Sequence, residues 1–460
     1  MEKETKIWSK IGGTIGNLVY YVAIVGLLLV IATLLRLKIS FLRKAFIPAS
    51  LIAGFIGLAL GQYGLKIIPA DMMSSIGSLP SHMITVVFAC MMLGLKKEDT
   101  DKTMVRDAAA GLGWLWSCSF MQVGVPALLC AFILTPMFGV NPLFSTLTEI
   151  GFAGGHGTAG GMAAAFEALG WNDGSTLGST MATVGLLCGI FGGMIIINYG
   201  VRKKYTAVLT EVAETGTTKE VFAEGEREAS SHSTISNDVV EPFAFHLGII
   251  GISILIGRAI VYGFGLVTGY KSLPLFPFAM IGGWLINTVV QRTSLKDLFD
   301  RKTFQRIQGM ALEILIVGAV ASIKVPVVIE YLVPILLCAG VVMVLMVVWF
   351  FWLSPHIFQD CWFEQAIIRY GAFTGVAAVG YMLLRTADPK METKAGSIYA
   401  LDGPLMSPFI GGGLVTSMWP TLVSSMGNMM FGLMACGISI AILVVLRMFF
   451  WIKSPKMEQR

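Results

Sequence analysis

The sequence predicts an all-α polytopic membrane protein built as an inverted repeat of two halves. Hydrophobic residues make up 55% of the 460 residues and only 13% are charged, against roughly 25% charged in soluble domains. Apolar runs long enough to cross a bilayer recur along the whole chain. Two glycine-interrupted segments, which begin at Gly151 and Gly371, occupy corresponding places within this apolar background.

The first half, residues 1–204, is predicted to hold five transmembrane helices and one re-entrant hairpin. Basic residues cluster after the first, third and fifth spans, and Lys and Arg favour the cytoplasmic side. The N-terminus is therefore placed outside and the cluster at 202–204 in the cytoplasm. This assignment requires a hairpin, at about 142–171, that enters and leaves by the outer face. The five spans are predicted at 15–35, 46–61, 82–95, 105–134 and 176–199.

Residues 205–241 are predicted to be a cytoplasmic linker, because this polar stretch is too poor in large apolar residues to form a core. The second half, residues 242–425, starts from the cytoplasm and so has the opposite orientation. A second hairpin is expected at about 357–386, because Gly151, Gly155, Gly160 and Met162 recur 220 residues later. The five spans of this half are predicted at 243–267, 276–290, 307–323, 327–353 and 405–423.

An eleventh span outside the repeat is expected at 429–451, within residues 426–460. One helix from Pro404 to Trp451 would be about 70 Å long, more than twice the hydrocarbon thickness. A turn near 424–428 solves this problem and returns the C-terminus to the cytoplasm.

Composition excludes several classes of function. The seven cysteines are odd in number and form no C-x-x-C pair, so no disulfide framework and no metal centre is expected. The net charge of +5 comes from loop residues and reports orientation, and nothing supports nucleic-acid binding. The chain has no G-x-x-x-x-G-K-[ST] motif, so ATP is not expected to act directly.

The segment GFAGGHGTAGG at 151–161 is the main candidate for a binding site. Each glycine inside a helix costs about 1 kcal/mol relative to alanine, and lipid tolerates broken backbone only where protein or a wet cavity surrounds it. Freed amides of such a break can bind a small anion. The alternative is that the glycines allow close helix packing. The predicted substrate contacts at the first tip are Gly154, Gly155, His156, Gly157 and Thr158.

His156 is expected to donate to a substrate carboxylate or to exchange a proton, and the alternative is that it only holds the loop. Thr374 and Gly375 occupy the tip of the second hairpin. Arg385 and Arg369 flank that hairpin, and a guanidinium suits a carboxylate bidentately. Arg385 has the alternative of extending to lipid headgroups.

Five further residues are candidate cation ligands or charge partners. Buried carboxylates need a partner or a cation, and neutral oxygens suit a dehydrated cation. Glu313 is expected to face the bundle interior, and Glu149 has the alternative of a solvated hairpin base. Ordinary interhelical hydrogen bonds explain the uncharged residues equally well. The five are Glu149, Glu313, Asn287, Thr416 and Ser417.

These patterns favour a secondary transporter for a small carboxylate over an enzyme. A membrane-embedded enzyme would use His156 with Glu149 as acid and base, yet no Ser or Cys nucleophile lies at helical spacing from His156. An anion channel that uses the Gly-His-Gly-Thr loop is a third alternative, which the inverted repeat disfavours.

Four segments resemble the bacterial sodium/glutamate symporters: FLRKAFIPASLIAG at 41–54, AGGHGTAGG at 153–161, TVGLLCGIFGGM at 183–194 and DCWFEQAIIRYGAFTG at 360–375. The resemblance covers residues 15–204 and 243–425. It implies Na+-coupled uptake of glutamate by an elevator-like movement of a core domain against a scaffold. It also implies a location in the bacterial inner membrane, a homodimer through the scaffold spans, and no cofactor besides the coupling ion Na+.

Overall fold

The computed structural model describes residues 2–44, 47–95, 102–208, 224–226, 229–268, 274–388 and 392–452. Within these residues the secondary structure is entirely helical, and nine helices are long and apolar enough to cross a membrane. Ala49–Leu60 and Phe276–Val290 are shorter apolar helices. The predicted all-α membrane class is confirmed. The middle of the predicted linker (209–223, 227 and 228) and the C-terminal tail (453–460) lie outside the described residues.

The first half contains four long helices and one shorter one, and a short helical hairpin lies between the fourth and the fifth helix. A π-helical turn, Cys130–Leu134, and a short helix, Thr135–Phe138, extend the fourth helix. The third helix begins at Ala70, twelve residues before the predicted start, because its first turns are rich in serine and lack a long apolar run. The helices are α1 (Glu2–Lys38), α2 (Ala49–Leu60), α3 (Ala70–Met91), α4 (Lys102–Leu129) and α5 (Gly174–Arg202).

The helices of the second half follow a similar order, with two differences. Its ninth span begins as a short helix, Val325–Glu330, and ends in a π-helical turn, Trp349–Leu353, and a short helix, Ser354–Ile357. The tenth span, predicted as one helix at 405–423, is instead two helices separated at residues 407–413. The helices are α6 (Pro242–Thr268), α7 (Phe276–Val290), α8 (Arg301–Ala321), α9 (Leu332–Val348), α10 (Ala395–Met406), α11 (Leu414–Met426) and α12 (Asn428–Phe449).

The helices form two bundles. We call α1–α3 with α6–α8 the scaffold bundle, in which α3 packs along α8, α2 packs against α8, and α7 packs against α3. We call the remaining helices the hairpin bundle: α5 packs against both hairpins, and α12 packs along α4. The main contact between the bundles is the first hairpin, which packs on α3 and α8. Each bundle therefore takes equivalent elements from both halves.

Candidate functional site

The first hairpin reverses direction at Gly154 and Gly155. Its arms are Leu147–Phe152 and Gly155–Gly161, and Gly155 has a φ of +72°. Both arms lie at the same level of α5: a Cβ on Gly178 would be 3.0 Å from the Ala159 Cβ and 3.6 Å from the Leu147 Cδ2. The two arms therefore run side by side, and the glycines form the tip.

The second hairpin lies within Trp362–Ala387, which is interrupted at Gly375 and Val376. A Cβ on Gly371 would be 2.7 Å from the Gly380 Cα, although nine residues of straight helix would separate these positions by about 14 Å. The chain therefore doubles back. Val376 has φ 63° and ψ 168°, a conformation that is almost restricted to glycine and costs a valine about 1–3 kcal/mol.

The tips of the two hairpins touch. A Cβ on Gly155 would lie 2.5 Å from the Val376 Cγ1. The first hairpin runs along the N-terminal half of α5, and the second runs along its C-terminal half, where the Tyr370 hydroxyl donates to the Cys188 carbonyl at 3.2 Å. The hairpins thus approach each other from opposite ends of one helix.

A third interruption, residues 407–413 between α10 and α11, closes over the first tip. Gly411 and Gly412 have φ values of +67° and +102°, which only glycine adopts readily. A Cβ on Gly411 would lie 3.6 Å from the Ala153 carbonyl oxygen, and one on Gly412 would overlap the Thr158 hydroxyl. The three consecutive glycines at 411–413 were the available signal for this break, which the sequence analysis missed.

His156 is fixed on α5. Its ring is 5% exposed, and its Nε2 lies 2.9 Å from the Thr183 hydroxyl, which itself donates to the Ser179 carbonyl at 3.1 Å. The Thr158 hydroxyl donates back to the Gly154 carbonyl at 2.9 Å. These hydrogen bonds hold the shape of the tip, and His156 contributes to them through Thr183.

Glu149 is fully buried at the base of the first tip, and four donors surround its carboxylate. Three donate to Oε1 and the fourth, the Trp419 indole, donates to Oε2 at 3.2 Å. The carboxylate thereby joins the first hairpin to α4, to α11 and to the third interruption. The four hydrogen bonds satisfy much of the acceptor capacity of this buried carboxylate. The donors to Oε1 are the Ser119 hydroxyl (2.9 Å), the Thr416 hydroxyl (3.0 Å) and the Gly411 amide (3.1 Å).

Of the three uncharged ion-site candidates, only Thr416 is bonded to the base of the first tip. Thr416 is fully buried and bridges Glu149 to the Gly412 amide, while the Ser417 hydroxyl donates to the Leu414 carbonyl at 2.6 Å. Asn287 instead ties α7 to the end of α3: its side-chain oxygen accepts from the Gly94 amide at 3.0 Å. The structure therefore separates Asn287 from the hairpins.

Two charged candidates lie outside this site. Arg385 is exposed, ten residues after the second tip. Glu313 is exposed on α8 and does not face the bundle interior as the sequence analysis expected. The buried guanidinium is that of Arg369, which forms an ion pair with Asp402 of α10. Asp402 was missed because it precedes the predicted start of the tenth span.

Comparison with known proteins agrees with this architecture. A family model described as "Sodium/glutamate symporter" matches residues 16–361, about three quarters of the chain. The match includes all of the first hairpin and ends one residue before the second. No curated protein matches the chain.

Proposed function

The chain belongs to the sodium/glutamate symporter family, and from this membership we propose that it takes up glutamate or a similar small carboxylate by an elevator-like, Na+-coupled cycle. Family members are transporters and not enzymes. The observation that carries the proposal for this chain is the contact between Gly155 and Val376, where two interrupted hairpins meet. Interrupted helices that meet inside a transporter offer backbone dipoles to substrate and ions.

The proposed substrate site lies between the two tips and the third interruption. Gly155 and Gly157 carry no side chain, so a carboxylate can approach their backbone amides closely. The Gly154 amide instead donates to the Glu149 carbonyl at 3.1 Å and holds the turn. Thr374 and Gly375 complete the site from the second hairpin. For Na+ we favour neutral oxygens, namely the Thr416 and Ser417 hydroxyls with nearby carbonyls, because protein hydrogen bonds already stabilise the buried Glu149 carboxylate without a cation.

The elevator-like movement would occur where the first hairpin meets the scaffold bundle. A Cβ on Gly160 would lie 2.5 Å from the Pro80 Cβ, and Gly157 packs against Ile84 of α3 and Leu315 of α8. This contact joins glycines to apolar side chains without interlocking polar groups. Such a surface allows sliding with a small loss of specific interactions. In this proposal the hairpins enter from opposite faces of a bacterial inner membrane, with the N-terminus outside and the C-terminus in the cytoplasm.

We further propose a homodimer through the scaffold bundle, because exposed polar residues cross its outer face. α3 is polar and exposed from its first turn to His82, and α8 is polar and exposed from its first turn to Glu313. His82 and Glu313 each lie twelve positions after the first residue of their helix. A charged group that faces lipid at that depth costs about 2.5–3.5 kcal/mol. The exposed polar residues are Asp71, Ser74, Ser78, His82, Lys302, Gln305, Arg306 and Glu313.

A second copy fits this polar face better than lipid does. The His82 Nδ1 is bound to the Ser78 carbonyl at 2.9 Å, so its Nε2 points away from its own helix. A twofold axis normal to the membrane would bring His82 opposite Glu313 of the partner subunit, and both pairs would form at once.

Oxidative cross-linking tests the homodimer. Copies that carry His82→Cys should cross-link to differently tagged copies that carry Glu313→Cys. As the control, copies that carry Ile195→Cys, which is exposed on α5, should not cross-link to the Glu313→Cys copies. Absence of the 82–313 cross-link in membranes would contradict this interface.

Purified protein in liposomes tests the transport proposal. An inward Na+ gradient should drive accumulation of labelled glutamate, and replacing Na+ by K+ should abolish it. Accumulation that is equal with and without the gradient would contradict Na+ coupling.

A further inference from the structure

The end of α12 is fastened to the segment that leads into the second hairpin. The Ile452 amide donates to the His356 carbonyl at 2.7 Å. Arg106 of α4 joins the same two segments: its Nη2 donates to the Phe450 carbonyl at 2.8 Å, and its Nη1 donates to the Ile357 carbonyl at 3.1 Å. We call the contact of residues 450–452 with residues 356–357 the C-terminal clasp. It holds the end of α12 beside the base of the second hairpin.

Aromatic rings cover the C-terminal clasp at the surface of the protein. The Trp451 ring stacks on the His356 ring at 4.3 Å with an interplanar angle of 17°, and its centroid lies 5.8 Å from that of Trp352. Trp352 is 48% exposed, and Phe449, the last residue of α12, is 71% exposed. Exposed apolar helices that end in tryptophan are typical of the boundary between lipid tails and headgroups. The clasp therefore lies at the level of lipid headgroups.

Arg447 is an exposed cation without a charge partner at this boundary. Its Cζ lies 5.6 Å from the centroid of the Trp451 ring, and the residues that the structure describes give it no hydrogen bond or ion pair. Arg106, by contrast, lies 2.9 Å from the Asp107 carboxylate. A ring face holds a guanidinium without using its N–H groups, so those of Arg447 remain available to a ligand.

The donors beside Arg447 match an anionic ligand. Within the described part of the chain, the indole N–H groups of Trp352 and Trp451 have no hydrogen-bond acceptor. The patch thus combines one guanidinium with two indole donors. A guanidinium binds phosphate oxygens through two parallel hydrogen bonds, and tryptophan N–H groups at a membrane surface find polar partners there. A phosphate group can accept hydrogen bonds from all of these donors.

We propose that Arg447, Trp352 and Trp451 bind the phosphate of an anionic phospholipid. A lipid fits this patch better than a soluble phosphate does, because exposed apolar side chains precede the patch on both helices. Val348 at the end of α9 is 42% exposed, and Val445 on α12 is 49% exposed. Both helices pack on α4, and their exposed faces offer a surface to acyl chains.

The charge of Arg447 selects among phospholipid headgroups. Phosphatidylglycerol is an anion and neutralises the guanidinium, whereas the choline group of phosphatidylcholine brings a second cation close to it. The bound lipid stabilises the C-terminal clasp and so braces the base of the second hairpin. This inference goes beyond the proposed transport function and does not depend on it.

Native mass spectrometry of the full chain in detergent tests the proposal through the first lipid-binding event, with phosphatidylglycerol and phosphatidylcholine of identical acyl chains as probes. The wild type should bind phosphatidylglycerol about 5-fold more tightly, the factor that one basic residue near an anionic headgroup contributes. Arg447→Gln should abolish this preference and leave phosphatidylcholine binding within about 2-fold. Arg202→Gln is the matched control, because it removes an exposed arginine from the last turn of α5, and it should retain the preference.

A second variant tests the phosphate contact apart from charge. Trp352→Phe keeps an aromatic ring and removes the N–H donor, so it should weaken both phospholipids by a similar factor of about 2- to 10-fold. Thermal unfolding without added lipid tests the fold, and Arg447→Gln should melt within about 2 °C of the wild type because it replaces an exposed side chain. If Arg447→Gln does not fold, Trp352→Phe decides.

Four results would overturn the lipid site. They are equal affinity of the wild type for the two phospholipids, equal effects of Arg447→Gln and Arg202→Gln, and unchanged lipid binding by Trp352→Phe. The fourth is displacement of phosphatidylglycerol by millimolar inorganic phosphate, which would identify a site for a soluble anion.

Discussion

Replacing Gly155 by alanine should destabilise the protein through two separable effects. At φ +72° an alanine costs about 1–2 kcal/mol. Its Cβ would also lie 2.5 Å from the Val376 Cγ1, well inside the 3.5–4.0 Å optimum for carbon pairs, and such overpacking costs about 1–3 kcal/mol. The expected total is about 2–5 kcal/mol.

The overlap should disappear when Val376 is shortened to alanine. The Val376 Cβ would lie 3.9 Å from the new Cβ, an ordinary van der Waals distance. The double variant Gly155→Ala/Val376→Ala should therefore recover the overpacking cost and retain only the backbone cost. A double-mutant cycle is expected to give a coupling free energy of about 1–3 kcal/mol.

Thermal unfolding of the purified variants in detergent, with unfolding in denaturant where it is reversible, measures this coupling. Gly139→Ala is the matched control, because Gly139 has a φ of +64° and nothing lies within 4 Å of its added Cβ. It should pay the backbone cost alone and show no coupling with Val376→Ala. Additive effects of Gly155→Ala and Val376→Ala would refute the contact between the tips.

Three further substitutions test other parts of the site. Glu149→Gln should lower the free energy of unfolding by about 2–4 kcal/mol, because an amide NH2 group would face buried donors. Glu167→Gln, on an exposed side chain, is the control. Equal melting temperatures of the two variants would contradict a structural role of the Glu149 carboxylate. Gly157→Leu should abolish glutamate uptake while membrane insertion, measured by fractionation, stays normal, because the new side chain would meet α3 and α8; normal uptake would argue against a close sliding contact there. Arg385→Gln should leave the apparent affinity for glutamate within about 2-fold in the uptake assay, since this exposed arginine is remote from the tips; a loss of 10-fold or more would restore Arg385 to the site.

The sequence predicted the helices that depend on long apolar runs, and its glycine clusters predicted breaks at 151–161 and 371–380, where the structure has helix interruptions at Gly154–Gly155 and at Gly375–Val376. The predicted start of α3 was too late in the chain, because the first turns of that helix are polar and apolar periodicity is the main signal for a span. The division of the tenth span was missed for a related reason: the run 405–423 is apolar, and hydropathy does not distinguish a helix from a buried break.

The partners of buried charges were the least predictable feature. The sequence left Glu149 open between a buried ion ligand and a solvated hairpin base. Its donors Ser119 and Trp419 lie 30 residues before it and 270 residues after it. Arg369 and Arg385 both flank the second hairpin in the sequence, and only the fold shows that Arg369 is buried and Arg385 exposed. Such contacts depend on how distant helices pack, and no local pattern records them.

A disulfide between the two tips tests the central claim most directly. The distance of 3.9 Å between an added Cβ at residue 155 and the Val376 Cβ falls within the 3.5–4.5 Å typical of disulfides. In a variant whose seven native cysteines are replaced, Gly155→Cys/Val376→Cys should cross-link on oxidation and lose glutamate uptake, and reduction should restore uptake. Full uptake by the cross-linked protein would contradict a substrate site that opens between the hairpins.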